Sequence, residues 1–174
     1  MAPVKTNALL PGYRPNVGIM VINRNGLVWV GRRADMPGDM EGRGTWWQMP
    51  QGGIDPGEDL TAAALRELQE ETGITSVDVL AVTPSWMAYD FPPSVLASGH
   101  ARGHRGQQQK WLAVRFTGAD SEVNITPSDP SMIEFDAWKW LPAAELADNI
   151  VTFKRDIYRE VVAEFTPYLR AATS

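Results

Sequence analysis

The stretch Gly52–Ile74, GGIDPGEDLTAAALRELQEETGI, decides how this chain folds. Its first half is turn chemistry: two glycines followed by Asp55-Pro56-Gly57 interrupt both helix and central strand. Asp59 then stands as an N-cap, and Leu60–Thr72 is a run of helix-forming residues. Gly73 closes it as the residue past the C-cap, so the pattern predicts a helix over Leu60–Thr72. Residues three and four apart share a helix face, which gathers Glu67, Glu70 and Glu71 within an arc of about 100°. Leu65, Leu68 and Thr72 take the opposite stripe, toward a core. Three carboxylates on one face repel one another, and Arg66, which reaches Glu70 at i+4, brings one guanidinium against three negative charges. Such an oxygen-only set suits a hard divalent ion, Mg²⁺ or Mn²⁺; the plainer alternative is a solvated acidic face. The glycine-rich loop ahead of the helix tips the balance toward the ion, because backbone without a Cβ can approach a phosphate or metal closely.

Working outward, Val17–Asn23 and Leu27–Arg32 are β-branched, apolar runs joined by Arg24-Asn25-Gly26, a hairpin signal. Ala34–Thr45, with Pro37, Gly38, Gly42 and Gly44, reads as an exposed loop, and Trp46–Pro50 resumes an apolar run. Downstream, Val77–Trp86 and Gln107–Thr117 read as strands separated by a loop over Phe91–Gly106. Glu134–Leu141 alternates as a strand does, and Pro142 opens a short helix through Ala143–Ala147. A final helix is expected over Thr152–Tyr168, with Ile157, Val161 and Phe165 on one stripe and Pro167 fraying its end. Interspersed strands and helices make this an α/β chain, without internal repeats.

Composition narrows the partners. The 174 residues are 44% hydrophobic and carry 16 Lys and Arg against 21 Asp and Glu, a net charge of −5. That length fits one domain over residues 1–174 with one sizeable core. The absence of cysteine removes disulfides, thiolate zinc sites and a cysteine nucleophile, which points to the cytoplasm. Met1–Leu10 is too weakly apolar for a signal-peptide core, and no apolar run approaches the roughly 18 residues of a membrane span. Net acidity argues against coating DNA or a membrane surface. Locally, however, Phe91–Ala119 carries Arg102, Arg105, Lys110 and Arg115 with no acidic residue, as a polyphosphate substrate requires. His100 and His104 have a metal-like spacing, yet Gly99, Gly103 and Gly106 argue against the helix that would make them a zinc site. The tryptophans are mostly core, with Trp46, Trp47 and Trp86 as alternatives for a nucleotide pocket. Neither a G-x-S-x-G elbow nor a G-x4-G-K-[S/T] loop is present.

Written as a pattern, the deciding stretch is G-x5-E-x7-R-E-L-x-E-E-x-G-I, carried by Gly52, Glu58, Arg66, Glu67, Leu68, Glu70, Glu71, Gly73 and Ile74. This resembles the box of the Nudix hydrolases at every fixed position, a match expected by chance with a probability of about 10⁻⁷ or below. The resemblance implies an α/β/α sandwich with a mixed β-sheet. It also implies hydrolysis of a nucleoside diphosphate linked to another moiety. In it Glu67, Glu70 and Glu71 bind the divalent cations, Arg66 orients a catalytic glutamate, and Glu58 holds the loop-helix geometry. Four flanking motifs resemble the branch of RNA pyrophosphohydrolases and asymmetrically cleaving dinucleoside polyphosphate hydrolases. These are Tyr13–Gly18, Trp47–Gly53, Gln107–Trp111 and Phe153–Tyr158, and the likeness runs from about Tyr13 to Tyr168. The branch implies Glu134 as a further metal-site carboxylate. It sets Arg14, Arg33, Lys110 and Lys154 toward the polyphosphate, counts Gln51 and Gly52 among the substrate-binding residues, and stacks Tyr89 and Phe153 on a base. The loop Asp35–Gly44 is longer than in RNA-specific members, and Val95–Gly106 departs from their pattern.

The expected reaction is in-line attack on a phosphoanhydride by a water activated by two or more Mg²⁺, with Mn²⁺ as a substitute. Glu67 or Glu71 takes the proton, and sequence leaves the two equivalent. The substrate is a dinucleoside tetraphosphate such as diadenosine tetraphosphate, a 5′-triphosphorylated RNA end, or both. Rivals are a nucleoside-diphosphate-sugar pyrophosphatase, which does not need the basic Gln-Lys-Trp strand, and a nucleotide-sensing regulator, which does not need the intact glutamates. Activity is expected on both substrates, dinucleoside polyphosphate cleavage to unequal products being the slightly better supported. An RNA chain needs a path for further phosphates, and the basic loop Gly99–Lys110 offers a short one. Replacing Arg102 and Arg105 with Ala is therefore expected to slow RNA processing more than dinucleotide cleavage, and to flatten the salt dependence of the former. Equal effects in paired kinetic assays would remove the loop from the RNA path.

Overall fold

The computed structural model describes residues 3–34, 46–99, 101–127 and 129–171. Its strands are β1 (Val4–Thr6), β2 (Tyr13–Ile22), β3 (Val28–Arg33), β4 (Trp47–Gln48), β5 (Gln51–Gly53), β6 (Val77–Val82), β7 (Trp86–Asp90), β8 (Gly106–Phe116) and β9 (Phe135–Leu141). The helices are α1 (Leu60–Thr72), α2 (Pro93–Ser98) and α3 (Arg155–Phe165). β2 and β8 form the spine. They run parallel in register from Tyr13 opposite Gly106 to Ile22 opposite Arg115, and both are buried along most of their length. Central parallel strands lose water from both faces, so their sequences are apolar in both phases of the alternation. The remaining pairings among the described residues are antiparallel, which makes the sheet mixed, as expected.

Alternation along the spine divides the core in two. Val17, Ile19 and Val21 with Leu112, Val114 and Phe116 pack on one face against Ala63, Ala64 and Leu68 of α1. Met20, Ile22, Trp111 and Ala113 pack on the other against Ile157, Tyr158, Val161 and Phe165 of α3. The result is the expected α/β/α sandwich. Within α1 the buried stripe is Ala63, Ala64, Leu68 and Thr72, with Leu65 only partly covered, which corrects the expected stripe. Small alanines let the helix lie close to the sheet.

Other boundaries moved for identifiable reasons. The run Val77–Trp86 is two strands, β6 and β7, both paired to β8, because Pro84 lies between them and cannot donate to a ladder. Gly52 and Gly53, expected in a turn, are strand residues paired with Val17 and Asn16 of β2. Helix α2 occupies part of the segment expected to be loop, opened by Pro92-Pro93 and closed by Gly99 at φ 81°. The short helix after Pro142 is two 3₁₀ turns, Ala143–Glu145 and Ala147–Asn149. The terminal helix is α over Arg155–Phe165 only, with 3₁₀ turns on either side. The hairpin turn held as expected, with Asn23 Oδ1 accepting from the amides of Asn25 and Leu27 at 2.9 Å each. Most of the expected loop Ala34–Thr45, and His100 of the His pair, lie outside the described residues. Among the described residues no helix is long and apolar enough to cross a membrane.

Gly18 shows how tightly the spine packs. A Cβ there would overlap the ring of Trp111, its fully buried partner across the parallel ladder. Gly18→Ala is expected to cost about 2 kcal/mol of stability, the usual scale of overpacking. A urea titration showing an unchanged midpoint would contradict that packing.

Candidate active site

The site is assembled by one guanidinium. Arg66 sits in the second turn of α1, whose start is fixed by Asp59 Oδ2 accepting from the Ala62 amide at 3.1 Å. From there Nε and Nη2 of Arg66 donate to the two carboxylate oxygens of Glu58 at 2.8 and 2.9 Å. Nη2 also donates to the Gly53 carbonyl at 3.2 Å, while Nη1 reaches Glu67 Oε1 at 3.0 Å and Glu70 Oε2 at 3.3 Å. Glu58 further accepts from the Asp55 amide at 3.1 Å, folding the loop back on itself. One side chain thus ties the loop, the end of β5 and the acidic face of α1 together. The Arg66 bonds and the Asp55 amide hold the Glu58 carboxyl down at about 2, and the Arg66 guanidinium is pushed further up by Glu58 and Glu67.

The carboxylates differ in surroundings. Glu70 is largely exposed; Glu67 is mostly covered; the Glu71 carboxylate is buried. Glu67 occupies the space where a Cβ on Gly52 would fall. Gly52 therefore makes room for the side chain of Glu67. Gly53 makes room likewise for Arg14, whose Nη2 lies 2.6 Å from the position of an added Cβ. Burial pushes the Glu71 carboxyl well above its usual range, and the charges of Glu134 and Glu67 push the same way, against the Gln51 amide and Arg33. Its Oε2 is buried with no hydrogen-bond partner among the described residues. Burial also raises Glu67, with Arg66 opposing. Glu134 joins the cleft from outside the helix, 3.6 Å from Arg33, and Ile125, Pro127, Asp129 and Met132 complete its walls.

These side chains do not form a closed cage of three or more acidic ligands among the described residues, since Arg66 is drawn in among them. The donors nevertheless fit a divalent cation. They are carboxylate oxygens alone, and the buried, unpartnered Glu71 Oε2 beside two further carboxylates is a deficit of positive charge.

On the α3 face of the sheet lies a different environment. Phe153 and Tyr89 face each other with ring centroids 6.1 Å apart and planes 36° apart, at a cleft shared with Tyr13, Asp90 and Arg105. Tyr89 donates to Gln107 Oε1 at 2.6 Å. Beneath, Gln109 Nε2 donates to Asn16 Oδ1 at 2.8 Å and to Gln51 Oε1 at 3.3 Å, while its own Oε1 accepts from the Trp111 indole at 3.1 Å. Gln107 and Gln109 share this face. Gln108 points the other way along the strand and holds Leu10, Ala8 and Thr6 of the N-terminal segment.

Two residues connect the regions. Gln51 offers its amide to Glu71 and its side chain to Gln109. Arg33 pairs with Glu134 and donates to Gln48 Oε1 at 3.2 Å, which also accepts from Lys154 Nζ at 3.1 Å. Of the expected polyphosphate cations, Arg14 and Arg33 lie beside this junction. Lys154 is buried against Gln48, and Lys110 lies 5.3 Å from the Trp86 ring centroid. Arg115 does not join them. It caps the end of the chain by donating to the carbonyls of Asn23 at 2.8 Å and Tyr168 at 3.1 Å. Arg105 pairs with Asp90 at 3.3 Å and lies over the Tyr13 ring at 5.0 Å. Trp46 is core, and Trp47 packs against that core with Lys139 Nζ 4.1 Å from its ring centroid. Asn16, Gln48 and Gln109 lie in the flanking motifs but were given no role by sequence reasoning; the signal was a polar residue in an otherwise buried strand, and for Gln109 an unbroken polar run from Gln107 to Lys110.

A family model for the NUDIX domain matches residues 12–161. The chain is 54% identical over 155 residues to the RNA pyrophosphohydrolase of Brucella abortus (strain 2308), covering 88% of this chain and 87% of that one. The fold is similar to that of C. elegans Ap4A hydrolase in a binary complex, with TM-score 0.58 and 17% identity over 87% of this chain and 98% of that one. It is similar too to a bifunctional NMN adenylyltransferase/ADP ribose pyrophosphatase from Francisella tularensis complexed with AMP and Mn ion. That match has TM-score 0.56 and 19% identity over 97% of this chain and 43% of that one.

The Arg66–Glu58 pair has a pH signature. With the Glu58 carboxyl at about 2 in the folded chain and near 4.5 when unconstrained, its pairing stabilises the fold above the higher value. That contribution fades as pH falls from one value to the other. The gap in urea midpoint between the native chain and Glu58→Gln is expected to be full at about pH 6 and to shrink toward about pH 2.5. A gap independent of pH would show that the carboxylate's charge contributes nothing.

Proposed function

The chain belongs to the Nudix family, and on that premise we propose that it cleaves the 5′-triphosphate of RNA ends and accepts dinucleoside polyphosphates at the same site. It is a pyrophosphate-cleaving hydrolase that works with divalent metal ions. The similarity to an RNA pyrophosphohydrolase shifts the balance of the two substrates toward RNA. The observation that carries the reading is Gln51. A three-residue strand joins the buried carboxylate of Glu71 to the polar network under Tyr89 and Phe153, so the two halves of a nucleotide site share one rigid element. In this reading residues 1–174 act as one domain in the cytoplasm.

Tyr89 and Phe153 receive the first base, which leaves its phosphates to run past Gln51 toward the carboxylates. Arg14, Arg33 and Lys154 flank that route, and Lys110 adds positive charge from the α1 face of β8. Glu67, Glu70, Glu71 and Glu134 would hold the cation, Mg²⁺ in this reading, which neutralises the polyphosphate and acidifies the attacking water when bound. Glu67 takes the proton. Arg66 fixes one of its oxygens at 3.0 Å, and Gly52 leaves room for the other. Arg66 is thus the positioning residue of the reaction.

Glu71→Gln is expected to fold with a melting temperature at least equal to that of the native chain without metal, since a buried carboxylate is neutralised. It should lose at least about a hundredfold in turnover on triphosphorylated RNA, as should Glu70→Gln to a lesser degree. Mg²⁺ should raise the melting temperature of the native chain and do so much less in the variant. Because burial and the charges of Glu134 and Glu67 raise the Glu71 carboxyl, protons compete with the cation for it, so Mg²⁺ affinity should rise with pH. Titration calorimetry in buffers of different ionisation enthalpy measures the proton release. Near-normal turnover in Glu71→Gln would overturn the cation site.

A further inference from the structure

The carboxylate cleft has a wall to which the proposed route for RNA assigns no role. Beyond Glu67, Glu70, Glu71 and Glu134, the same cleft is lined by Ile125, Pro127, Met132 and Asp129. Met132 is 69% exposed and its neighbour Ile133 is 39% exposed, large apolar surfaces at the lip of an otherwise acidic site. This wall and the carboxylates line one concavity, separate from that of the Tyr89–Phe153 shelf.

The charges say what can occupy it. None of the described residues lining the cleft is a cation, although Arg66 and Arg33 pair with its glutamates, and Asp129 adds a negative charge with no ion pair among the described residues. Against Asp129 a further phosphate would be repelled, whereas an uncharged flat ring would cover exposed apolar carbon. Asp129 Oδ1 is committed to the Ser131 amide at 2.9 Å and hydroxyl at 2.8 Å. Oδ2 has no hydrogen bond among the described residues, and as an ionised carboxylate oxygen it accepts but does not donate. Aromatic exocyclic amines are the matching donors. With the first base on the Tyr89–Phe153 shelf and the phosphates crossing the carboxylates, the atoms that emerge at this wall are those at the far end of the polyphosphate. A triphosphorylated RNA ends there; a dinucleoside polyphosphate continues into its second nucleoside.

We infer that Ile125, Pro127 and Met132 form the shelf for the distal nucleobase of a dinucleoside polyphosphate, with Asp129 accepting from its exocyclic amine. This rests on the proposed path of the substrate through the site. The shelf supplies the discrimination between the two substrate classes that the cations cannot, since those meet the same phosphates in both.

The test compares diadenosine tetraphosphate, diuridine tetraphosphate and a 5′-triphosphorylated RNA on the full chain with Mg²⁺. Met132→Ser, at an exposed position, is expected to raise KM for diadenosine tetraphosphate five- to tenfold while leaving kcat/KM on RNA within twofold. Asp129→Asn keeps an oxygen for Ser131 and should erase any preference for the diadenosine over the diuridine substrate. A parallel loss on RNA, or no change on diadenosine tetraphosphate, overturns the shelf and leaves the proposed function standing; native hydrolysis of RNA with none of the dinucleotide overturns the shelf together with the dinucleotide half of the proposed function. Failure of the native chain to cleave either substrate class overturns the proposed function itself.

Discussion

Everything at the site is referred to the fork of Arg66. A planar guanidinium with five N–H donors can satisfy a carboxylate with two of them and still hold a carbonyl and two more carboxylates, which a lysine ammonium at the same position could not do with fixed geometry. Here the bidentate partner is Glu58, in the loop, and the remaining donors fall on Gly53, Glu67 and Glu70. Loop, strand and helix are therefore pinned at one point. The acidic face of α1 can be dense because part of its charge is answered locally and the rest is left for a cation.

The unanswered part is concentrated in Glu71. Its carboxylate is buried, raised by Glu134 and Glu67, and short of a partner at Oε2. Burying such a group is costly unless a positive charge arrives, so the fold carries a small destabilisation that binding relieves. The neighbouring small residues make sense in the same terms. Gly52 leaves the room that Glu67 needs, Gly53 the room that Arg14 needs, and Ala63 and Ala64 let α1 lie close enough for its glutamates to reach β5.

The sheet separates two chemistries. Its α1 face bears carboxylates and an apolar lip; its α3 face bears aromatic rings over a network of amides. A nucleotide polyphosphate is itself divided in this way, into flat base and charged chain, and on the proposed route it passes from one face to the other. Gln51 and Arg33 are the residues that touch both sides, through Glu71 and Gln109 in one case and Glu134 and Gln48 in the other. Membership of the Nudix family accounts for the carboxylates, whereas the choice of substrate within it depends on what flanks them.

Much of this could be read in the chain itself, because the information is local. Helix α1 has the expected bounds, Leu60–Thr72, since its N-cap, periodicity and closing glycine all lie within one short stretch. The hairpin turn at Asn25-Gly26 and the strand phases of β2 and β8 are equally local. The glutamate cluster follows from helical spacing alone, whereas the roles of Glu58 and Arg66 came from the resemblance of the box around it and that of Glu134 from the resemblance to one branch of the family. What sequence could not decide was where each side chain spends its hydrogen bonds with distant partners. That Gly52 belongs to a strand and serves Glu67 depends on β5 pairing with β2 across more than thirty residues of chain. That Arg115 is structural while Arg33 is beside Glu134 depends on which end of the sheet each reaches, although the sequence offered both as positive charge for a polyphosphate. The polar residues Asn16, Gln48 and Gln109 were legible only as oddities in buried strands, because a buried amide declares its role through its partners, and those are brought to it by the tertiary fold.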